Sequence, residues 1–333
     1  MSRERETVVV TGASGGVGRA VAHAFGRRGA QVALLARGEK ALEAVRGEIE
    51  AAGGRALVVG VDVADADAVE AAAELVEREL GPIDIWVNDA MATVFARFTD
   101  VTAEEYRRAT EVTYLGAVYG TMAALKRMTA RDRGTIVQVG SALSYRAIPL
   151  QSAYCGAKFA IRGFTDSIRT ELRHDRSHVH ITMVQLPGVN TTQFNWCRSK
   201  LPDHPQPVPP IYQPEIAAKA IYWAAHHRRR ELWVGYSTLE AIIGTKLSAL
   251  AGDIYLARTG FQGQQISGMP VAPDRPDNLF EPLPDMAATH GMFDDQATAR
   301  SPQLWASTHR SLIGGAVLAA AAAVGAGIGA ARR

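Results

Sequence analysis

A serine, a tyrosine and a lysine define the chemistry open to this chain. Ser141 follows the apolar run 135–139, and Tyr154 and Lys158 stand four apart at the start of a helical pattern over 152–172. Residues four apart project from one helix face, so the phenol and the ammonium share a side. A phenol titrates near ~10 and carries protons poorly at neutrality. An ammonium one turn away is expected to lower that value, while a nearby serine hydroxyl can hold the oxygen of a reacting carbonyl. Together the three groups can give a proton to, or take one from, an oxygen whose carbon exchanges a hydride. An isolated pair of this spacing is more often an ordinary half-buried contact, so the reading rests on the elements around it.

Those elements alternate. The run 7–10 reads as a buried strand and leads into Thr11-Gly-Ala-Ser-Gly-Gly-Val-Gly18, after which 19–29 carries a helical pattern. Glycines at 12, 16 and 18 let the backbone turn tightly and approach a pyrophosphate resting on the helix N-terminus. Further strands are predicted at 31–36, 56–61, 83–87, 180–185 and 231–235, with helices at 39–52, 66–80, 103–130 and 215–226. Strands separated by such helices predict an α/β fold. It is a Rossmann-type, doubly wound parallel sheet with helices on both faces and ligands at the carboxyl ends of the strands.

The end of the second strand bears on the ligand. A carboxylate there would hold a ribose 2′-hydroxyl. This chain instead has Ala36 followed by Arg37. An arginine offers a forked cation to a 2′-phosphate, so NADP(H) is expected over NAD(H), with a solvated surface arginine as the alternative. Asp62 ends the third strand, where it can bond an adenine amino group or cap the next helix. The Pro187-Gly188 turn and the Thr191 hydroxyl suit a loop over a nicotinamide amide, and a plain turn accounts for them equally. The proline-rich stretch 190–214 carries Phe194, Trp196, Ile211 and Tyr212 and has the length of a functional insertion, most often a lid.

Composition narrows the classes. With 333 residues and 47% hydrophobic content, the chain can bury a large core and is long for one compact domain. A formal charge of +2 without a basic face argues against nucleic acid as a partner. Two cysteines, Cys155 and Cys197, are too few for a disulfide framework and fit a reducing, cytoplasmic setting. Cys155 beside Tyr154 reads as a small buried filler rather than a reactive thiol. The N-terminus passes from charged residues straight into the first strand, without the apolar segment of a signal peptide.

Taken in order, the TGxxxGxG loop, Asp62-Val63, Asn88-Asp89-Ala90-Met91, Ser141 thirteen residues before Tyr154, the YxxxK pair and the PGxxxT loop resemble the short-chain dehydrogenase/reductase (SDR) family over about residues 6–237. The resemblance implies an oxidoreductase in which Tyr154 is the acid/base and Ser141 orients the substrate oxygen. Lys158 would bind the nicotinamide ribose and lower the tyrosine pKa. Cofactor contacts are implied for Gly12, Ser14, Gly16, Val17, Gly18, Arg37, Asp62, Val63, Asn88, Ala90, Tyr154, Lys158, Pro187, Gly188 and Thr191, and assembly as a homodimer or homotetramer. Two positions depart from the family pattern. Met91 replaces a glycine and would tighten or shift the adenosine side, and Thr113 stands where the family has an asparagine that supports a proton relay to the lysine.

Past residue 238 the catalytic domain ends and an extension begins. A helix over 239–259, within a segment 239–267, can wall the substrate pocket, and the polar, proline-rich tract 268–310 reads as an extended arm or linker. Residues 311–331 are uncharged for 21 residues between His309-Arg310 and Arg332-Arg333. As a helix this run would reach roughly 32 Å, enough for a bilayer core. Alanine and glycine dominate it, so a marginal tail anchor, a flexible tail and a helix docked on protein all stand. Two functional readings follow: an NADP(H)-dependent oxidoreductase acting on a carbonyl or secondary alcohol of an apolar small molecule, or a membrane-tethered interaction module that binds cofactor without turnover.

Overall fold

Strand residues that alternate between two faces build two cores from one sheet. In β1 (Thr7–Thr11), Val8 and Val10 pack on one side and Val9 on the other; β2 (Gln31–Ala36) repeats the pattern with Val32 and Leu34 against Ala33 and Leu35. All of these side chains are buried, as expected of strands covered on both faces. The computed structural model describes residues 5–315 apart from Pro273.

The sheet continues through β3 (Arg55–Gly60), β4 (Ile83–Asn88), β5 (Thr135–Ser141), β6 (His180–Leu186) and β7 (Glu231–Trp233). These form a 7-stranded sheet in the spatial order β7-β6-β5-β4-β1-β2-β3, with every pair parallel. One face carries α1 (Gly16–Gly26) and α2 (Glu39–Ala51). The other carries α3 (Ala66–Leu80), α4 (Ala103–Thr110), α5 (Gly116–Ala130) and α6 (Ser152–His174), while α7 (Pro214–Ala225) packs beside α1. The order reverses between β1 and β4, which opens a crevice at their carboxyl ends.

Three elements differ from the sequence expectation. The stretch 103–130 is not one helix: a π-helical turn, Glu111–Leu115, separates α4 from α5. Buried Thr113 lies in that turn, and its hydroxyl donates to Ala92 O (2.8 Å) and accepts from Ala92 N–H (2.9 Å). The helix expected at 239–259 breaks into α8 (Tyr236–Leu247) and α9 (Ala249–Thr259), because Ser248 is extended and caps α9 through Ala251 N–H. The tract after residue 268 is no free arm. Gln265–Pro270 pairs with Asp203–Pro205 in the lid, Ala297–Thr298 pairs with Ile211–Tyr212, and Leu279 and Phe293 are fully buried. It ends in α10 (Pro302–Thr308) against β7. Among the described residues no helix is long and apolar enough to cross a membrane, and most of the uncharged run 311–331 lies outside them.

Asn88 corrects a cofactor assignment. Its carboxamide points into the sheet, donating to Ala117 O, Thr121 Oγ1 and Gln138 Oε1 and accepting from Trp86 Nε1 at 2.8 Å. It ties β4 to β5 and α5 rather than facing the crevice. Asn88→Ala leaves several buried polar groups unpaired and is expected to cost about 3 kcal/mol of stability in urea unfolding. A loss below about 0.5 kcal/mol would show that the network carries no stability.

Candidate active site

The serine, tyrosine and lysine converge because β5 ends where α6 begins to pack. Ser141 leaves the strand into a short turn, Ala142–Ser144, and the two ends cap each other: Ser141 Oγ accepts from Leu143 N–H (3.1 Å) and Ser144 Oγ from Ser141 N–H (3.2 Å). With its oxygen pinned, Ser141 faces Tyr154 across the same cavity wall. Lys158 is buried, donates to Val139 O at 2.7 Å, and lies 5.4 Å from the Tyr154 ring centroid. All three line one cavity of about 850 Å³.

The electrostatics reverse one expectation. Burial raises the Tyr154 pKa above its ordinary value, Ser141 opposes this, and the neighbouring Cys155 and Asp89 add to it. The predicted lowering by Lys158 does not appear, because desolvation of the phenolate outweighs an ammonium that is turned to the Val139 carbonyl. Tyr154 is therefore protonated at neutral pH. Burial pushes Lys158 down to about 8, against the charge of Asp89. Its ammonium is charged at neutrality and is lost as pH rises through that value.

Asp89 is the functional residue that sequence reasoning passed over. Burial pushes its carboxyl up to about 7, opposed by the Lys158 charge and by the Gly18 N–H. It stands on the cavity wall between α1 and Lys158. The available signal was an acidic residue immediately after β4, inside a motif that was read for Asn88, Ala90 and Met91.

The other end of the cavity is built for a dinucleotide. Gly12 has φ +72, and a Cβ there would lie 2.9 Å from Ala90 Cα, so only glycine carries this turn. Ser14, Gly16 and Val17 line the cavity at the N-terminus of α1, where the helix dipole suits phosphate. Gly18 does not line it. A Cβ there would meet Gly12 O at 2.3 Å, so this glycine lets helix and strand pack and is corrected to a structural role.

Arg37, Asp62, Val63, Ala90 and Met91 form the next stretch of wall. The Arg37 guanidinium donates to the carbonyls of Asn278 and Phe280. Burial acts to raise Asp62, but an ion pair with Arg108 and the Ala64 N–H (3.0 Å) hold its carboxyl below the usual range. Arg108 was not anticipated, since it comes from α4, distant in sequence. Pro187, Gly188 and Thr191 close the wall beyond Tyr154 and Lys158. This donor set fits a nicotinamide dinucleotide.

Beyond Ser141 the lining turns apolar, with Leu143, Ile148, Val208, Ala241, Leu247 and Leu256. The inner side of α8 and α9 supplies half of these. Phe194 and Tyr212 in the lid are buried, and Phe194 packs against Phe95 and Phe293. Trp196 lines the cavity beside Gly15. Burial pushes the Cys155 thiol up to about 11 and Cys197 up to about 12, so neither is a nucleophile. Among the described residues no cluster of side chains suits a metal ion.

Comparison with known proteins agrees with this geometry. Residues 6–201 match the family described as short chain dehydrogenase. The uncharacterized oxidoreductase YxnA of Bacillus subtilis is 33% identical over 322 residues, covering 94% of this chain and 88% of that protein. An alcohol dehydrogenase from the archaeon Thermococcus sibiricus, solved with 5-hydroxy-NADP, superposes with a TM-score of 0.61 at 26% identity over 69% of this chain and 96% of its own. A short-chain dehydrogenase/reductase from Burkholderia phymatum, solved with NAD, shares the fold with a TM-score of 0.66 at 20% identity over 78% of this chain and 98% of its own. The chain belongs to the short-chain dehydrogenase/reductase family and is an oxidoreductase of that family.

Proposed function

We propose that the protein exchanges a hydride between NADP(H) and a carbonyl or secondary alcohol of an apolar small molecule, with Tyr154 as the acid/base. The observation that carries this reading is one cavity with two ends: Ser141, Tyr154 and Lys158 meet an apolar pocket at one, and the α1 N-terminus and Arg37 lie at the other. A bound nicotinamide dinucleotide supplies or accepts the hydride. The chain's own residues handle the oxygen and its proton. In the reducing direction the Ser141 hydroxyl holds the carbonyl oxygen, and the Tyr154 hydroxyl gives that oxygen its proton as the carbon gains the hydride. The resulting phenolate is stabilised by the Ser141 hydroxyl, and Lys158, on the same helix face, holds the nicotinamide ribose. The oxidising direction runs the same steps backwards.

NADP(H) is preferred because a 2′-phosphate pairs with Arg37, whose strand end carries no carboxylate for a 2′-hydroxyl. Solved relatives carry either cofactor, so the preference rests on this chain's own arginine. Arg37→Ala should weaken NADPH binding by on the order of 2 kcal/mol and leave NADH nearly unchanged. Equal losses for both cofactors in calorimetric titration would remove Arg37 from the specificity assignment.

Membrane contact belongs to the same reading. The helices of the apolar pocket wall also expose Leu250 and Ile254, which do not line the cavity, Leu250 by 68%. An uncharged run over 311–331 lies in the same chain, and two weak membrane signals together hold a protein at a bilayer where one does not. The full chain should float with phosphatidylcholine vesicles, and a chain ending at Arg310 should float much less. Equal flotation of both would place the contact away from the tail.

The acid/base role has the sharpest test. Tyr154→Phe keeps the ring and its packing, so folding and NADPH affinity should survive while single-turnover hydride transfer falls by roughly a hundredfold or more. Near-native turnover on a confirmed substrate would end the assignment.

A further inference from the structure

The cofactor half of the cavity has a roof that the family match, which ends at residue 201, does not cover. Asn278, Pro282, Leu283 and Ala287 line the cavity opposite Gly12, Ser14, Arg37 and Asp62. The segment that carries them crosses the crevice from the adenosine side, at α2 and α4, to the lid.

Both ends of this crossing are anchored in packed protein. At the first, Leu279 is fully buried in the core on the α3–α5 face. Asn278 N–H donates to Trp196 O at 2.8 Å, Asp277 pairs with Arg198 at 2.6 Å, and Leu279 O accepts from Arg108 Nε at 3.1 Å. At the second, Phe293 is fully buried against Phe194, and its N–H donates to Asn190 Oδ1 at 3.1 Å. Asp294 there accepts from Asn190 Nδ2 (2.8 Å) and Gln213 Nε2 (3.0 Å).

The middle is held differently. Residues 281–288 are secured by an exposed Lys40–Asp285 pair and by carbonyls that reach donors of the crevice: Ala287 O accepts from Arg19 Nη1 (3.1 Å), and Ala288 O from Gly16 N–H (2.9 Å) and Thr192 Oγ1 (3.3 Å). An exposed ion pair contributes little, and a stretch with few buried apolar contacts opens at low cost. Firm ends with a loosely held middle make a bar that can lift without unfolding the domain.

We infer that residues 277–294 form a clasp over the dinucleotide cleft, so that cofactor enters and leaves only when the middle of the clasp lifts. This rests on the cofactor reading above and adds the control of exchange at that site. The polar contacts of the middle stretch lie on the Gly-rich loop and α1, and those of its first end lie on Arg37 and Arg108. A closed clasp therefore also holds the groups expected to meet the phosphates.

The test uses adenosine 2′,5′-bisphosphate, an unreactive probe of the adenosine half, with the full chain and the variant Asp285→Ala. Asp285 is largely exposed and does not line the cavity. Stopped-flow tryptophan fluorescence should show association rates that level off with probe concentration in the native protein, with the plateau and the release rate each raised about twofold in the variant. Hydrogen exchange over 281–288 should slow when the probe binds. Binding with identical rates in the two proteins and unchanged exchange over 281–288 overturns the clasp and leaves the cofactor reading standing. No binding in either protein overturns the cofactor reading and the clasp with it.

Discussion

A side chain at position 12 would place its Cβ 2.9 Å from Ala90 Cα, and one at position 18 would place it 2.3 Å from Gly12 O. Backbone therefore meets backbone at the point where the sheet order reverses, and the rest of the site depends on that approach. It seats the N-terminus of α1 against the loop after β4. It also brings Asp89, which leaves β4 in that loop, between α1 and Lys158. Replacing either glycine would push the loop and the helix apart and separate the phosphate end of the cavity from the proton-transfer end.

The charges at this junction are best understood as a set. Asp89 and Lys158 are both driven toward their neutral forms by burial, and each limits the shift of the other. Tyr154 receives the opposite influence, since a negative Asp89 raises the phenol further. The consequence is a tyrosine that is held in its protonated form. A phenol lowered into the neutral range would suit the reverse role, taking a proton from an alcohol. In the protein itself the low polarity of the site, more than the lysine, decides the resting state.

Much of this was legible from residue spacing. The apolar runs of β1 and β2, each followed by a helical pattern, pointed to a sheet covered on both faces, and Ser141, Tyr154 and Lys158 line one cavity. What escaped had long-range causes. The π-helical turn at Glu111–Leu115 leaves no mark in the hydrophobic pattern, yet it determines where Thr113 bonds. Asn88 looked like a cofactor contact because its motif faces the crevice, but partners on β5 and α5 draw its side chain inward. The direction of the Tyr154 shift depends on burial, which the spacing of two residues does not encode. In the tract after residue 268, abundant proline and polar residues masked two anchors, Leu279 and Phe293, whose burial is visible only once the chain is folded back.

That tract and the helices before it give the C-terminal extension two faces of work. Gln264, at the junction, is fully buried; its amide donates to the carbonyls of Pro149 and Gly260 and its oxygen accepts from Gln151, so the extension is fastened just before α6 begins. On one side of that fastening α8 and α9 line the substrate end with apolar residues, and on the other the segment 277–294 roofs the cofactor end. A displacement of the extension is thereby felt at both ends of a single cavity, through Gln151 beside the catalytic helix and through Arg37 beneath the roof. The sheet and α6 together position Tyr154, and the extension lines the cavity on both sides of it.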